Sequence, residues 1–143
     1  MAKLRHITLT VQDPEAAAEF YMKAFDMQRV GGTDWANAKG VYLSDGTVNL
    51  ALLKYKNDTS AGERGADFVG IHHLGFWVDD VGDTRKKIEN LGGTYWMGDV
   101  KHDGGFYEVK YFDPNGVVVD ITEHGWKGAT KEVVPSTIKT QEE

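Results

Sequence analysis

Several features that define whole classes of protein are absent from this chain. Its 143 residues include no cysteine, which excludes disulfide bonds, thiolate metal ligands and cysteine nucleophiles. No apolar run approaches the ~18 residues of a transmembrane helix, and the opening MAKLRH lacks an apolar signal region. We therefore expect a cytoplasmic protein with no membrane partner.

Basic residues are also fewer than acidic ones. The 16 Lys and Arg residues are outnumbered by 22 Asp and Glu, so the formal net charge is −6. Nucleic-acid binding depends on basic patches that release counterions, and we expect no nucleic-acid partner. None of the glycines forms the GxGxxG pattern that binds phosphates after a strand.

The most informative feature that is present is a repeat. A strand-like segment that opens at His6 (HITLTVQD) recurs at His73 (HLGFWVDD), and in both copies an aspartate follows the histidine at the same spacing. A helix-like stretch comes next in each copy. Each copy closes with a strand that a turn precedes, SDGTVNLALL and DPNGVVVDIT. The hydrophobic periodicity predicts the order βαβββ in both copies.

This repeat predicts an α+β fold. Two βαβββ modules would form one curved mixed sheet around a central cleft, with the helices outside. The length fits a single domain over 1–143, and a hydrophobic content of 41% is enough for a packed core. We expect module one at 3–56, a polar linker at 57–68, module two at 69–125 and a C-terminal tail at 126–143. The tail lacks periodicity, and we expect it to be frayed or draped over a partner.

Three residues that can bind metals fall on the polar faces of three predicted strands. The apolar residues of each strand should face its helix, so His6, His73 and Asp120 should point to the other side. Two imidazoles and one carboxylate suit a divalent transition metal with positions left open for water or substrate. A carboxylate within VVVDIT is also costly to bury without a cation or hydrogen-bond donors. The pattern therefore predicts a mononuclear metal site.

The segments HITLTVQDPEAAAEFY, HHLGFWVDDV and DPNGVVVDITEH resemble the vicinal oxygen chelate superfamily. This superfamily includes glyoxalases, bleomycin-resistance proteins and extradiol dioxygenases. The resemblance covers residues 3–124 and implies paired βαβββ modules around a metal site, commonly in a homodimer. It implies His6, His73 and Asp120 as ligands of a divalent ion that a small organic substrate chelates through its oxygens.

Two departures from the superfamily pattern bear on the reaction. The last ligand is usually glutamate, whereas this chain has Asp120. Asp120 is the fourth residue after the turn glycine Gly116, and the fourth residue after Gly46 in the first copy is Leu50, which cannot bind metal. The neighbouring Asn49 should point to the opposite face of the sheet from the ligands. The four-ligand set of glyoxalase I would then be incomplete. Two histidines and one carboxylate match the extradiol dioxygenases, so Fe(II) is favoured, with Mn, Zn and Ni as alternatives.

Two further residues are candidates for catalysis. Lys110 aligns with the catalytic tyrosine of the dioxygenases and could bind an anionic substrate or donate a proton, although a surface lysine is the alternative. His102 lies in the segment DVKHDGG and is either an acid–base residue or an ordinary loop histidine. His72 shares the apolar side of its strand and should be a capping or edge residue. His124 is a weaker candidate near the end of the last strand.

Three functions remain open on the sequence alone. The first is a metal-dependent enzyme, either a ring-cleaving dioxygenase or a lyase or isomerase, that stabilises an enolate-like or catecholate-like anion. The second is a metal-free binding protein of the bleomycin-resistance type, and the third is a degenerate module that only dimerises. The sequence also leaves open whether the ligands converge within one chain or across a dimer.

Overall fold

The computed structural model describes residues 1–133 of the chain. Its elements follow the order β1 (Lys3–Thr10), α1 (Pro14–Phe25), β2 (Gln28–Asp34), β3 (Ala38–Ser44), β4 (Asn49–Tyr55), α2 (Asp58–Ala61), β5 (Gly70–Trp77), α3 (Val81–Asn90), β6 (Thr94–Met97), β7 (Val109–Phe112) and β8 (Val118–Thr122). This is the predicted α+β fold of two βαβββ modules, with α2 as a short extra helix in the linker. Among the described residues, no helix is long and apolar enough to span a membrane.

All eight strands belong to one mixed sheet with the order β2-β3-β4-β1-β5-β8-β7-β6. The opening strands of the two modules, β1 and β5, lie antiparallel at its centre. Each is parallel to the last strand of its own module, β4 beside β1 and β8 beside β5. The repeat is therefore arranged with approximate twofold symmetry about the β1–β5 pair, which brings equivalent residues of the two modules close together.

The repeated aspartates begin the two long helices. The Asp13 carboxylate accepts hydrogen bonds from the backbone N–H groups of Glu15 and Ala16 at the start of α1. The Asp80 carboxylate accepts one from the N–H of Asp83 at the start of α3. Both caps satisfy N–H groups that have no partner within their helix, which explains why the same spacing recurs in both copies.

Two apolar clusters lie between these helices and the sheet, one in each module. Their buried members are Ala18, Val41, Leu43 and Leu52 in module one, and Val78, Val81, Tyr107, Val109, Tyr111 and Ile121 in module two. The Tyr111 hydroxyl donates to Glu89 of α3 at 2.7 Å, so this side chain faces the helix side as the strand alternation predicts. The alternate residues of the central strands face away from α1 and α3, on what we call the inner face.

The described part of the C-terminal tail contacts both modules, and residues of module one donate hydrogen bonds to its backbone carbonyls. The Asn49 amide donates to the carbonyl of Lys127 at 2.9 Å, and Arg5 donates to the carbonyl of Thr130 at 2.7 Å. The expectation of a frayed tail is therefore wrong for 126–133, because module one supplies donors to its backbone carbonyls, and a contact with a partner stays a prediction. The remainder of the tail lies outside the described residues.

Candidate metal centre

Two histidines and one aspartate meet at the centre of the inner face. His6 on β1, His73 on β5 and Asp120 on β8 are 4%, 3% and 0% exposed. One ligand atom from each lies within 4.8 Å of the other two. The Nε2 atoms of the two histidines are 3.3 Å apart, and His73 Nε2 is 3.1 Å from Asp120 Oδ2. The group forms within one chain and needs no second subunit.

A β-bulge precedes each of the two histidines. The pairing of β1 with β5 skips one residue on each strand, Arg5 on β1 and His72 on β5. Each skipped residue comes directly before a candidate ligand, His6 or His73. An extra residue of this kind locally changes the direction of the neighbouring side chains, so the two bulges help to aim both histidines at the centre.

Hydrogen bonds assign the proton of His6 to its Nδ1 atom. The Asn49 amide nitrogen donates to the Lys127 carbonyl, which turns the amide oxygen towards His6 Nδ1 at 2.7 Å. An amide oxygen only accepts, so Nδ1 carries the hydrogen and Nε2 presents a lone pair to the centre. Asn49 therefore lies on the same face as His6, and the expectation that it faces the opposite side is wrong.

The strand register also corrects the residue that corresponds to Asp120 in module one. Asp120 lies opposite Gly75 on β5, and the equivalent residue, opposite Thr8 on β1, is Ala51. Counting from the turn glycine pointed instead to Leu50, which packs against the α1 cluster. A shift of one residue along a strand reverses the face, which explains both errors. Alanine offers no ligand atom, so module one still lacks a counterpart of Asp120.

A second set of hydrogen bonds assigns the proton of His73. His72 Nε2 lies 2.6 Å from the carbonyl oxygen of Ala61, and His72 Nδ1 lies 2.7 Å from His73 Nδ1. The carbonyl only accepts, so His72 donates from Nε2 and accepts at Nδ1 from His73. His73 Nε2 is then unprotonated and faces the centre. Burial lowers the pKa of both imidazoles, which favours these neutral forms.

His72 is a site residue that the alternation of apolar residues did not identify. The pattern assigned it to the apolar side of its strand, as a capping or edge residue. The bulge interrupts the alternation at this residue, so His72 caps the Ala61 carbonyl at the end of α2, as expected, and also contacts His73. The adjacent pair of histidines in HHLGFWVDDV was the available signal, but no local pattern shows where a bulge occurs.

The centre combines acceptor atoms with too few donors. Burial lowers the pKa of His6 to about 4, so its Nε2 keeps a lone pair, to which the Thr8 hydroxyl is 2.9 Å away. Asp120 Oδ1 is buried without a hydrogen-bond partner, which is costly in the absence of a cation. In a tetrahedral site, ligand atoms about 2.1 Å from the ion are about 3.4 Å apart. His73 Nε2 lies 3.1 Å from Asp120 Oδ2 and 3.3 Å from His6 Nε2, and the three ligand atoms all lie within 4.8 Å of one another, so the residues can hold one divalent ion.

Lys110, a candidate catalytic residue, lies beside Asp120. Its Nζ is 2.8 Å from Asp120 Oδ2 and 3.2 Å from Glu108 Oε2. Burial alone would lower the pKa of Lys110, but the charges of Asp120 and Glu108 outweigh it and raise the pKa, so the lysine stays protonated. Burial would likewise raise the pKa of Asp120, but the charge of Lys110 beside it contributes to lowering the pKa overall, so the carboxylate stays ionised.

The other candidate histidines lie away from this centre. His102 is exposed in the connection between β6 and β7, and no hydrogen bond among the described residues joins it to the three candidate ligands. His124 is exposed as well, and its ring lies edge-on to Tyr107 with centroids 5.4 Å apart.

The C-terminal segment and the linker border the centre on opposite sides. The Trp126 ring stacks on the His6 imidazole with centroids 4.7 Å apart, and its Nε1 donates to Glu108 Oε1 at 2.7 Å. On the other side a cavity of about 270 Å³ reaches His72 and His73. Its remaining wall includes Glu63, Arg64, Ile71, Trp96 and Phe112. This mainly apolar wall, with one acidic and one basic residue, suits a small organic molecule.

Comparison with known proteins gives matches across most of the chain. The family model for the Glyoxalase/Bleomycin resistance protein/Dioxygenase superfamily matches residues 3–121. The Arabidopsis thaliana protein Glyoxylase I 4 is 21% identical over 122 residues, which cover 85% of this chain and 70% of that protein.

Solved structures share the fold at low sequence identity. A variant of Streptomyces coelicolor methylmalonyl-CoA epimerase in complex with 2-nitronate-propionyl-CoA has a TM-score of 0.67 at 19% identity, covering 83% of this chain and 94% of that one. A hypothetical protein from Bacillus halodurans C-125 has a TM-score of 0.68 at 17% identity, covering 94% of this chain and 99% of that one. At these identities the likeness concerns the fold alone.

Proposed function

The chain belongs to the Glyoxalase/Bleomycin resistance protein/Dioxygenase superfamily, and we propose that it is an enzyme that binds a divalent metal through His6, His73 and Asp120. The observation that carries this proposal is the buried Asp120 Oδ1, which lacks a partner beside two imidazole lone pairs. A cation at this position would satisfy all three ligands. The proposed substrate is a small organic molecule that chelates the ion through its oxygens and extends into the cavity beside His73.

Each residue then has a distinct task. When bound, the ion would supply Lewis acidity and stabilise an anionic form of the substrate. His6 and His73 bind as neutral imidazoles and Asp120 contributes one negative charge, which leaves the centre net positive. Lys110 holds Asp120 in place through its hydrogen bond, and as a protonated amine it can stabilise negative charge on the substrate or donate a proton.

Ring-cleaving oxygenation with Fe(II) is the reaction we favour. Two histidines and one carboxylate leave coordination positions open, as such chemistry requires. An isomerase needs a base to remove a proton from carbon, and Lys110 is held protonated. Both oxygens of Glu108 already accept hydrogen bonds, from Trp126 and Lys110. Proton abstraction therefore has less support in the residues around the ligands, and a lyase or isomerase comes second.

A metal-free binding protein of the bleomycin-resistance type is the alternative. The observation in its favour is the pairing of Lys110 with Asp120, which balances the buried charge without an ion. Under this alternative the three candidate ligands would only hydrogen-bond to each other and to a bound molecule. Metal content separates the two functions.

Protein purified without a histidine tag and reconstituted with Fe(II), Mn, Zn or Ni should hold about one ion per chain by elemental analysis. The variants His73→Ala and Asp120→Asn should lose it, because the first removes a ligand atom and the second removes the negative charge of the third ligand. His124→Ala, which removes an exposed imidazole outside the centre, is the matched control and should keep the ion. A wild type without bound metal, whose ligand binding is unchanged by His73→Ala, would overturn the enzyme proposal in favour of the binding protein.

Oxygen uptake with a panel of catechols then tests the reaction type. The Fe(II) form should consume oxygen and cleave at least one catechol, whereas metal binding without oxygen uptake would favour a lyase or isomerase.

The homodimer and the cytoplasmic location stay predictions. Light scattering should give about twice the chain mass of 15.9 kDa, and cell fractionation tests the location.

A further inference from the structure

His72 is not one of the three proposed ligands, but its ring contacts one of them, His73. We infer that His72 is a positioning residue of the metal centre, which holds His73 through a hydrogen-bond relay from the Ala61 carbonyl. We call the chain Ala61–His72–His73 the linker relay. The inference rests on the proposed function, because a positioned His73 matters for metal binding only if His73 is a ligand.

If both rings are neutral, the geometry of the linker relay permits only one assignment of the hydrogen atoms to the ring nitrogens. Ala61 O is 2.6 Å from His72 Nε2, and the two Nδ1 atoms are 2.7 Å apart. The rings of His72 and His73 are nearly perpendicular, at 81° with centroids 5.0 Å apart. A carbonyl cannot donate, so the protons lie on His72 Nε2 and His73 Nδ1. His73 is thereby held with its Nε2 lone pair facing the centre.

The start of the linker relay is itself well anchored. Ala61 is the last residue of α2 and is buried, at 2% exposure. Asn57 caps this helix by accepting from the Ser60 N–H at 2.8 Å. The carbonyl groups of a last helical turn have no partner within the helix, and His72 supplies one. The ring centroids of Tyr55 and His72 are 5.1 Å apart, so Tyr55 limits the movement of the His72 ring on another side.

Module one has an equivalent relay with different chemistry. His6 Nδ1 donates to Asn49, and Asn49 donates to the Lys127 carbonyl. In both modules the relay therefore ends on a backbone carbonyl in the segment that follows a last strand. The acceptor for the ligand histidine is an amide oxygen in module one and an imidazole nitrogen in module two. This recurrence supports a role for His72 at the centre beyond filling space.

Matched substitutions at His72 test the inference with Co²⁺ as the probe. His72→Asn keeps a hydrogen-bond acceptor near the position of Nδ1. His72→Leu introduces a side chain of almost the same shape as asparagine but without an acceptor. We expect His72→Leu to bind Co²⁺ roughly 10–100-fold more weakly than the wild type, and His72→Asn to recover most of that loss. The affinities come from titrations followed by the visible spectrum of Co²⁺, with melting of the metal-free proteins as a check on folding. His124→Leu should bind as the wild type does.

The outcomes separate this inference from the proposed function. A wild type that does not bind Co²⁺ would overturn both. Wild-type affinity in His72→Leu, or equal losses in the Leu and Asn variants, would overturn the linker relay alone. If His72→Leu does not fold, imidazole ¹⁵N chemical shifts of the metal-free wild type decide: His73 should be protonated at Nδ1, and a proton at Nε2 would contradict the inference.

Discussion

At the scale of single residues, the main feature of the centre is that its buried acceptor atoms have few hydrogen-bond donors. Lys110 donates to one oxygen of Asp120, and the other oxygen has no partner. Thr8 is the hydroxyl donor beside His6 Nε2. The Nε2 atoms of the two histidines lie 3.3 Å apart with no proton on either. A residue set of this kind is stabilised by a cation, which is why metal binding should have a large effect on stability.

The same residues predict a pH dependence for the metal-free protein. Burial lowers the pKa of His6 from 6.5 to about 4. Between these two values the unfolded chain binds a proton that the folded chain does not, so the free energy of unfolding falls as the pH falls through this window. The loss from His6 alone should be about 2 kcal/mol between pH 7 and pH 5. The pKa of His73 is lowered as well and adds to it.

Urea denaturation in EDTA at pH 7 and pH 5 measures this effect. The variant His6→Gln cannot titrate at this position and should show a smaller loss than the wild type. A wild type whose stability is the same at both pH values would contradict the burial argument. Saturation with a divalent ion should steepen the loss, because the ion competes with protons for the same nitrogen atoms.

At the scale of secondary-structure elements, the C-terminal segment is held close to the β1–β5 pair by a glycine. A Cβ atom on Gly75 would lie 2.7 Å from the Trp126 ring and 2.8 Å from His6 Cβ. Neither neighbour is the end of a flexible side chain, because Trp126 is also bound to Glu108. Only a residue without a side chain allows Trp126 to stack on His6 at this distance from β5.

Gly75→Ala should therefore lower the free energy of unfolding by about 1–3 kcal/mol, as overpacked sites do. It should also weaken metal binding, because the clash displaces His6 or Trp126. The matched control is Gly82→Ala at the exposed start of α3, where the added Cβ atom would lie 3.3 Å from one atom, Asp80 Oδ1 at the end of an exposed side chain, so the loss should be smaller than in Gly75→Ala. Urea denaturation of both variants checks the prediction, and equal stabilities would contradict it.

At the scale of the whole molecule, the two modules share their central strands. The β1–β5 pair joins them in one sheet, and the candidate ligands come from both modules. The linker relay and the C-terminal segment add contacts on either side of this pair. Neither module therefore completes the sheet or the site without the other.

We predict that the metal-free protein unfolds in one cooperative transition, because separating the modules would expose the central strand edges and the buried centre. Circular dichroism and tryptophan fluorescence should report the same urea midpoint. Trp35 lies in module one and Trp77 and Trp96 in module two, so fluorescence follows both. Two separated midpoints would show that the modules unfold independently.

Much of this architecture was predictable from local patterns. The repeated strand, the aspartate caps and the helix periodicity are properties of neighbouring residues, and they identified both modules and the α+β fold. His6, His73 and Asp120 were placed on one face of the sheet from the sequence because alternation within a strand sets the side to which a side chain points. The predictions for Asn49, Leu50 and the start of the tail were wrong because they depended on the pairing of distant segments.

By itself, the sequence determined the two modules and the three residue types that their central strands contribute. Only the tertiary structure decided which neighbours hold those residues: the bulges at Arg5 and His72, the orientation of Asn49, and the carbonyls of Ala61 and Lys127 that end the two relays. The physical reason is that periodicity acts between adjacent residues. Register, bulges and hydrogen bonds to a distant carbonyl arise only when strands far apart in the chain pair with one another.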